Sequence, residues 1–149
     1  MAQVHISAVV DAPIDRVWSV ARDFNGHAAW HPFIAASHIE DGLASDTVGC
    51  IRNFTLANGA HLRERLLALS DLDHSFTYCI LESPMPIRDY QASFSLKPVT
   101  EGQRTFVEWT ARFDVAPEDE ARIVEQVGRA TFAEGIAALE RFIRTRPES

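Results

Sequence analysis

Two charged residues sit where the chain's pattern calls for apolar ones. Glu64 lies between Leu62 and Leu66, with Ala68 continuing the same side of an alternating run. Arg52 lies between Cys50 and Phe54, with Leu56 beyond. Burying a lone charge is costly, so if both rows face inward the two residues are expected to pair. Such a pair is either a structural polar bridge or a polar anchor that orients a small molecule inside an apolar pocket. Tyr90 and His31 are the other candidates. Together with Arg52 and Glu64 they could move a proton or polarise a carbonyl if they converge.

Other chemistries find little footing. Of the six histidines, His27 and His31 stand four apart, a spacing that can present two metal ligands on a helix. Pro32 interrupts that helix and no third ligand is indicated, so no metal site is expected. His5, His38, His61 and His74 are expected on surfaces or strand edges. The chain contains no G-x-S-x-G, H-E-x-x-H, phosphate-binding loop or G-x-G-x-x-G. No catalytic residue is therefore assigned, and no cofactor is expected.

The elements that must position these residues follow from periodicity. Val4, Ile6, Ala8 and Val10 alternate with Gln3, His5 and Ser7, which predicts a first strand. Asp11 is placed to cap the next helix and Pro13 suits its first turn. Ile14, Val17, Trp18 and Ala21 then follow helical spacing until Asn25-Gly26 breaks it. From Phe33 onward the period is two, with strands predicted over 33–40, 47–57, 61–70, 74–82, 88–98 and 104–115. Asn58-Gly59 is a tight-hairpin signal. Ser83-Pro84-Met85-Pro86 marks another break.

After Pro117 a helix is predicted over 118–144, with Val124, Val127, Thr131, Gly135, Ala138 and Phe142 along one face. Acidic Glu118, Asp119 and Glu120 suit its start, and Arg141, Arg144 and Arg146 its end. The order predicts an α+β fold: a curved antiparallel sheet of about seven strands wrapped round a long C-terminal helix. One or two short helices follow the first strand.

In the last strand Val107, Trp109, Ala111, Phe113 and Val115 share one face, and Tyr90, Ala92, Phe94 and Leu96 form a similar row before it. The helix stripe opposite contains Gly128, Thr131 and Gly135. Large sheet residues against small helix residues either leave a hollow or bring helix and sheet close together.

The whole sequence, 149 residues with 46% hydrophobic content, is read as one domain able to bury a core. A net charge of −7 argues against broad nucleic-acid binding and against docking on anionic lipid. No apolar run is long enough to span a membrane, and no secretory signal is visible, so integral membrane association is not expected. Cys50 and Cys79 sit within predicted strands and are read as free thiols, which fits a cytoplasmic protein.

The opening Val4–Val10 strand, then Asp11-Ala12-Pro13-Ile14-Asp15-Arg16-Val17-Trp18, Asp23-Phe24 and Trp30-His31-Pro32, resembles the helix-grip proteins of the START/Bet v 1 superfamily, also called polyketide cyclase/dehydrase-like. The likeness covers about residues 3–144. It implies a fold built around an internal cavity.

A local likeness is to the plant abscisic-acid receptors of that superfamily. Val48-Gly49-Cys50-Ile51-Arg52, Glu64-Arg65-Leu66 and Asp89-Tyr90 stand in the same order as receptor segments. By that resemblance Glu64 and Tyr90 are polar pocket groups, and Phe54, Leu56, Tyr78, Ile80 and Ile87 are apolar wall. Val127, Thr131 and Gly135 form the helix side. His31 stands in the place of the lysine that holds the hormone carboxylate. The receptor gate, Ser-Gly-Leu-Pro-Ala, is cut here to Asn58-Gly59-Ala60, and the His-Arg-Leu latch is replaced by Met85-Pro86-Ile87. Hormone sensing by gate closure onto a phosphatase is therefore not implied. Asn58-Gly59 and Ser83–Pro86 are expected to border an open mouth.

Leu62, Met85, Phe94 and Trp109 complete the expected ligand-binding set. The expected function is binding or carriage of a small hydrophobic or amphipathic molecule. The alternatives are an aromatase/cyclase-like enzyme using the same cavity, or a partner-regulating domain with no small ligand.

Overall fold

The computed structural model describes residues 1–146. Seven strands form one antiparallel sheet in the order β1-β7-β6-β5-β4-β3-β2. They are β1 (Ala2–Val10), β2 (Ile34–Ile39), β3 (Ile51–Leu56), β4 (His61–Ser70), β5 (Ser75–Glu82), β6 (Ile87–Val99) and β7 (Arg104–Val115). Helix α1 (Ile14–Ala21) follows β1, and a 3₁₀ turn, Phe24–Gly26, leads into the single-turn α2 (His27–Trp30). The C-terminal helix crosses the concave face as α3 (Pro117–Glu125), a π-helical stretch (Gln126–Ala133) and α4 (Glu134–Thr145). This is the helix-grip arrangement that the element order predicts. No helix among the described residues is long and apolar enough to cross a membrane.

Most strand boundaries agree with the pattern to within a residue. The exception is the predicted strand 47–57, which begins only at Ile51. Gly49 has φ +97°, so the chain turns there before it joins the sheet, and Cys50 precedes the strand. Asp11 does not cap α1. Pro13 occupies the cap position, and Asp11 instead donates its backbone N–H to Glu140 at 2.6 Å.

Register aligns the important residues across the sheet. Arg52 faces Glu64 directly across β3 and β4, Leu66 faces Tyr78, and Phe94 faces Trp109. Bulges interrupt β4 on both sides of Glu64–Leu66 and interrupt β6 between Arg88 and Gln91. An extra residue bends a strand and raises its twist, which curls the sheet around the helix. At the β6 bulge Asp89 has φ +53°, and the next residue, Tyr90, is buried and stacked on Phe113 at 5.8 Å.

The inner face of β7 is the expected one. Trp109 is 5% exposed, whereas Glu108 faces out and pairs with His5 at 2.9 Å. Trp109 stacks on Phe132 of the helix, with centroids 4.4 Å apart and planes at 13°. Such a pair adds about 0.5–1.5 kcal/mol beyond its buried area.

The helix phase departs from the predicted stripe. Its large buried side chains are Ile123, Val127, Phe132, Ile136, Leu139 and Ile143, and of the predicted stripe Val127, Gly135 and Ala138 are buried. Thr131 and Phe142 are only half-buried. A π turn holds more residues than an α turn, so the five-residue step from Val127 to Phe132 shifts the face by one position.

Candidate functional site

A cavity of about 480 Å³ lies between the concave sheet, α2 and the π segment. Its wall is mainly apolar: Phe54, Leu56, Leu62, Ile80, Phe94, Trp109 and Val127 all line it. Arg52, Glu64, Tyr78 and Tyr90 form its polar region, and His31 and Thr131 also face it. Asn58 and Ser83–Met85 line it too, so the β3–β4 hairpin and the β5–β6 loop border the hollow. Gln126 of the π segment donates to Met85 Sδ at 4.0 Å.

Two expected site residues do not line it. Ile87 begins β6 just after the loop, and Met85, whose carbonyl accepts the Ile87 backbone N–H at 2.8 Å, lines the hollow where Ile87 does not. Gly135 is buried behind His31. A Cβ there would lie 3.0 Å from His31 Cδ2 and 3.1 Å from Trp109 Cζ3. This glycine therefore permits close packing of helix, histidine and indole, and it does not open the hollow.

The Arg52–Glu64 pair is built from three elements. Arg52 Nε donates to Glu64 Oε1 at 2.8 Å and Nη2 lies 2.7 Å from the same oxygen. Nη1 donates to the Phe24 carbonyl in the 3₁₀ turn at 2.7 Å. The guanidinium lies over the Phe24 ring at 3.9 Å and beside the Tyr78 ring at 4.8 Å. Both partners are 5% exposed. Burial pushes the Glu64 carboxyl above its ordinary range, and Arg52 pulls it back toward the ionised form.

The neighbouring phenols are shaped by the same burial. Trp109 Nε1 donates to the Tyr78 hydroxyl at 3.1 Å. Burial pushes both Tyr78 and Tyr90 upward, with Glu64 adding to the effect, so both stay protonated. They can donate or accept hydrogen bonds but are not bases near neutral pH.

His31 is spoken for on both ring nitrogens. Nε2 lies 2.9 Å from the Thr131 carbonyl, and Nδ1 accepts the Phe33 backbone N–H at 3.3 Å. That pattern requires the proton on Nε2. Burial, with a smaller effect of Arg52, lowers its pKa and keeps the ring neutral. His31 thus pins α2 to the helix and offers no charge to a ligand carboxylate.

Sequence reasoning passed over His27 and Trp30 as cavity residues. They stand three apart on the one turn of α2 and both line the hollow. His27 is 6% exposed, and burial with Arg52 nearby lowers its pKa well below the ordinary value. Its Nε2 and Trp30 Nε1 are the fully shielded side-chain polar atoms without a partner among the described residues. The signal in the sequence was the His-x-x-Trp spacing at the end of the first helical excursion. His27 and His31 do not form part of a three-ligand cluster among the described residues.

Comparison with known proteins agrees with this architecture. Residues 1–143 match the family described as polyketide cyclase/dehydrase and lipid transport. A solution structure from Thermobifida fusca is 30% identical, with a TM-score of 0.85 over 100% of this chain and 98% of that one. A protein from Nitrosospira multiformis is 28% identical, with a TM-score of 0.81 over 97% of each chain. XoxI from Bacillus cereus shares the fold at 24% identity, with a TM-score of 0.86 over 97% of each chain. With that family match over nearly its whole length, the chain belongs to the polyketide cyclase/dehydrase and lipid transport family.

Proposed function

We propose that the protein binds or carries a small, largely apolar molecule with one polar group, held in the cavity beneath the C-terminal helix. The observation that carries this reading is the hollow of about 480 Å³ with a single buried ion pair in an otherwise mainly apolar wall. Volumes of a few hundred Å³ suit a drug-sized ligand, with the apolar wall supplying affinity and the polar group orientation. The family, known for lipid and small-molecule binding or transport, supports the same reading.

Binding is favoured over catalysis by the state of the candidate acid–base groups. His31 has both ring nitrogens engaged, and the two buried tyrosines hold their protons. Glu64 is tied to Arg52. The free thiols Cys50 and Cys79 favour a cytoplasmic site of action.

Native mass spectrometry of protein purified from its own host tests the proposal. A reproducible small-molecule adduct that is lost on denaturation is the expected result. Repeated recovery of the bare chain mass, with no thermal stabilisation by any member of a small-molecule panel, overturns it.

A further inference from the structure

The charges around the cavity restrict what its ligand can be. Among the described lining residues, the carboxylate and guanidinium side chains are those of Arg52, Glu64 and Asp23. One cation against two anions leaves the site without a spare positive charge. Arg52 is already engaged by Glu64 Oε1, by the Phe24 carbonyl and by the faces of Phe24 and Tyr78. A ligand carboxylate that reaches this guanidinium meets the Glu64 carboxylate already bonded to it, at 2.7–2.8 Å. His31, where a cation would otherwise sit, is neutral and bonded at both nitrogens.

Within the Arg52–Glu64 pair, one carboxylate oxygen stays open. Both contacts from Arg52 fall on Glu64 Oε1, and Oε2 accepts no hydrogen bond among the described residues. Oε2 is not one of the shielded unpartnered atoms, so it keeps a face toward the hollow. A carboxylate oxygen only accepts, and it bonds most strongly to a donor placed opposite it. A ligand anion placed there meets like charge in a poorly solvated site, which costs several kcal/mol.

Building on the binding reading above, we infer that the cavity selects an uncharged ligand bearing a hydroxyl donor, an alcohol or phenol, and excludes carboxylates and phosphates. The hydroxyl donates to Glu64 Oε2 while the apolar body lies against Phe54, Leu62, Phe94 and Trp109. An ammonium ligand fares worse than the alcohol, because it must shed far more hydration to enter the mainly apolar hollow and the Arg52 guanidinium beside the same carboxylate offsets what it gains there.

The test uses four probes of one shape at pH 7.5: 2-methylnaphthalene, naphthalene-2-methanol, 2-naphthoate and naphthalene-2-methylamine. Affinities are read by intrinsic tryptophan fluorescence and calorimetry on the full chain. The alcohol is expected to bind at least about ten-fold more tightly than the carboxylate or the ammonium, and more tightly than the hydrocarbon. Glu64→Gln, which leaves Arg52 unbalanced, is expected to reverse the order and favour 2-naphthoate. A purely structural Glu64 would weaken all four probes alike.

Equal or tighter binding of the carboxylate or the ammonium by the native chain overturns the inference and leaves the binding reading standing. So does a hydrocarbon that matches the alcohol. Failure of all four probes overturns the inference, and a bare chain mass in the native spectrum beside it overturns the binding reading as well. The native-chain comparison decides the question even if the variant does not fold.

Discussion

Cutting the Arg52–Glu64 pair on one side should cost far more than removing it altogether. Glu64→Gln keeps the shape of the side chain but removes its charge, leaving a guanidinium that is 5% exposed. Breaking a buried pair in this way costs about 3–5 kcal/mol. Here Arg52 retains the Phe24 carbonyl at 2.7 Å and the ring faces of Phe24 and Tyr78, which places the loss near the lower end, at about 3 kcal/mol. At this chain length that is a fall in Tm of roughly 6–12 °C. Arg52→Met/Glu64→Leu removes both charges and fills the volume with apolar atoms. It should lie within about 1 kcal/mol of the native chain, or exceed it. Urea and thermal unfolding followed by circular dichroism complete the cycle with Arg52→Met and Glu64→Leu alone. A loss below about 1 kcal/mol for Glu64→Gln would mean that water reaches the pair. A double variant as damaged as the sum of its singles would mean that the two residues act independently. Either result refutes the pairing argument.

Two further outcomes follow from the packing around α2. Burial holds His27 below its ordinary pKa, so the folded state refuses a proton that the unfolded chain accepts below about pH 6.5. Its contribution is complete above that pH and is lost as the pH falls toward the folded value, by at most about 1.4 kcal/mol per unit. Urea unfolding at steps from about pH 7.5 to 5.5 should show stability dropping in the native chain and dropping less in His27→Leu. Parallel profiles would remove His27 from the effect; subtracting the profiles cancels the opposite slope from Glu64 and the similar one from His31. Gly135→Ala would gain about 1 kcal/mol if only helix propensity counted. Its Cβ would press on His31 and Trp109 at 3.0–3.1 Å, so a net loss of about 1 kcal/mol or more is expected, and a rise in Tm would show that the contact relaxes freely.

The sheet and the ion pair were legible because strand geometry is local. A period of two puts Arg52 on the row of Phe54 and Glu64 on the row of Leu62 and Leu66, and a short hairpin between the strands sets their register. The third partner was not legible. The Phe24 carbonyl belongs to the backbone, and only the 3₁₀ turn brings it to Arg52. The role of His31 escaped for the same reason, since its partner is the carbonyl of Thr131, one hundred positions away in sequence. By the resemblance alone Tyr78 counts as apolar wall, yet its hydroxyl receives the Trp109 indole N–H.

The helix shows most clearly how a correct element can be assigned a face that is only partly correct. Ile123 and Val127 are spaced for an α-helix, and so are Phe132, Ile136, Leu139 and Ile143. The two runs join only through a step of five. A single 3.6-residue period drawn from Val127 passes through Thr131 and Gly135 and misses Phe132, although Gly135 does lie against Trp109. The π segment, marked by the Glu134 N–H bonding the Arg129 carbonyl, moves the row by one residue. Phe132 then lies flat on Trp109, and Thr131 turns to the cavity side with its carbonyl against His31. The same insertion therefore fills the core under one end of the helix and fixes α2 against the other side of the hollow.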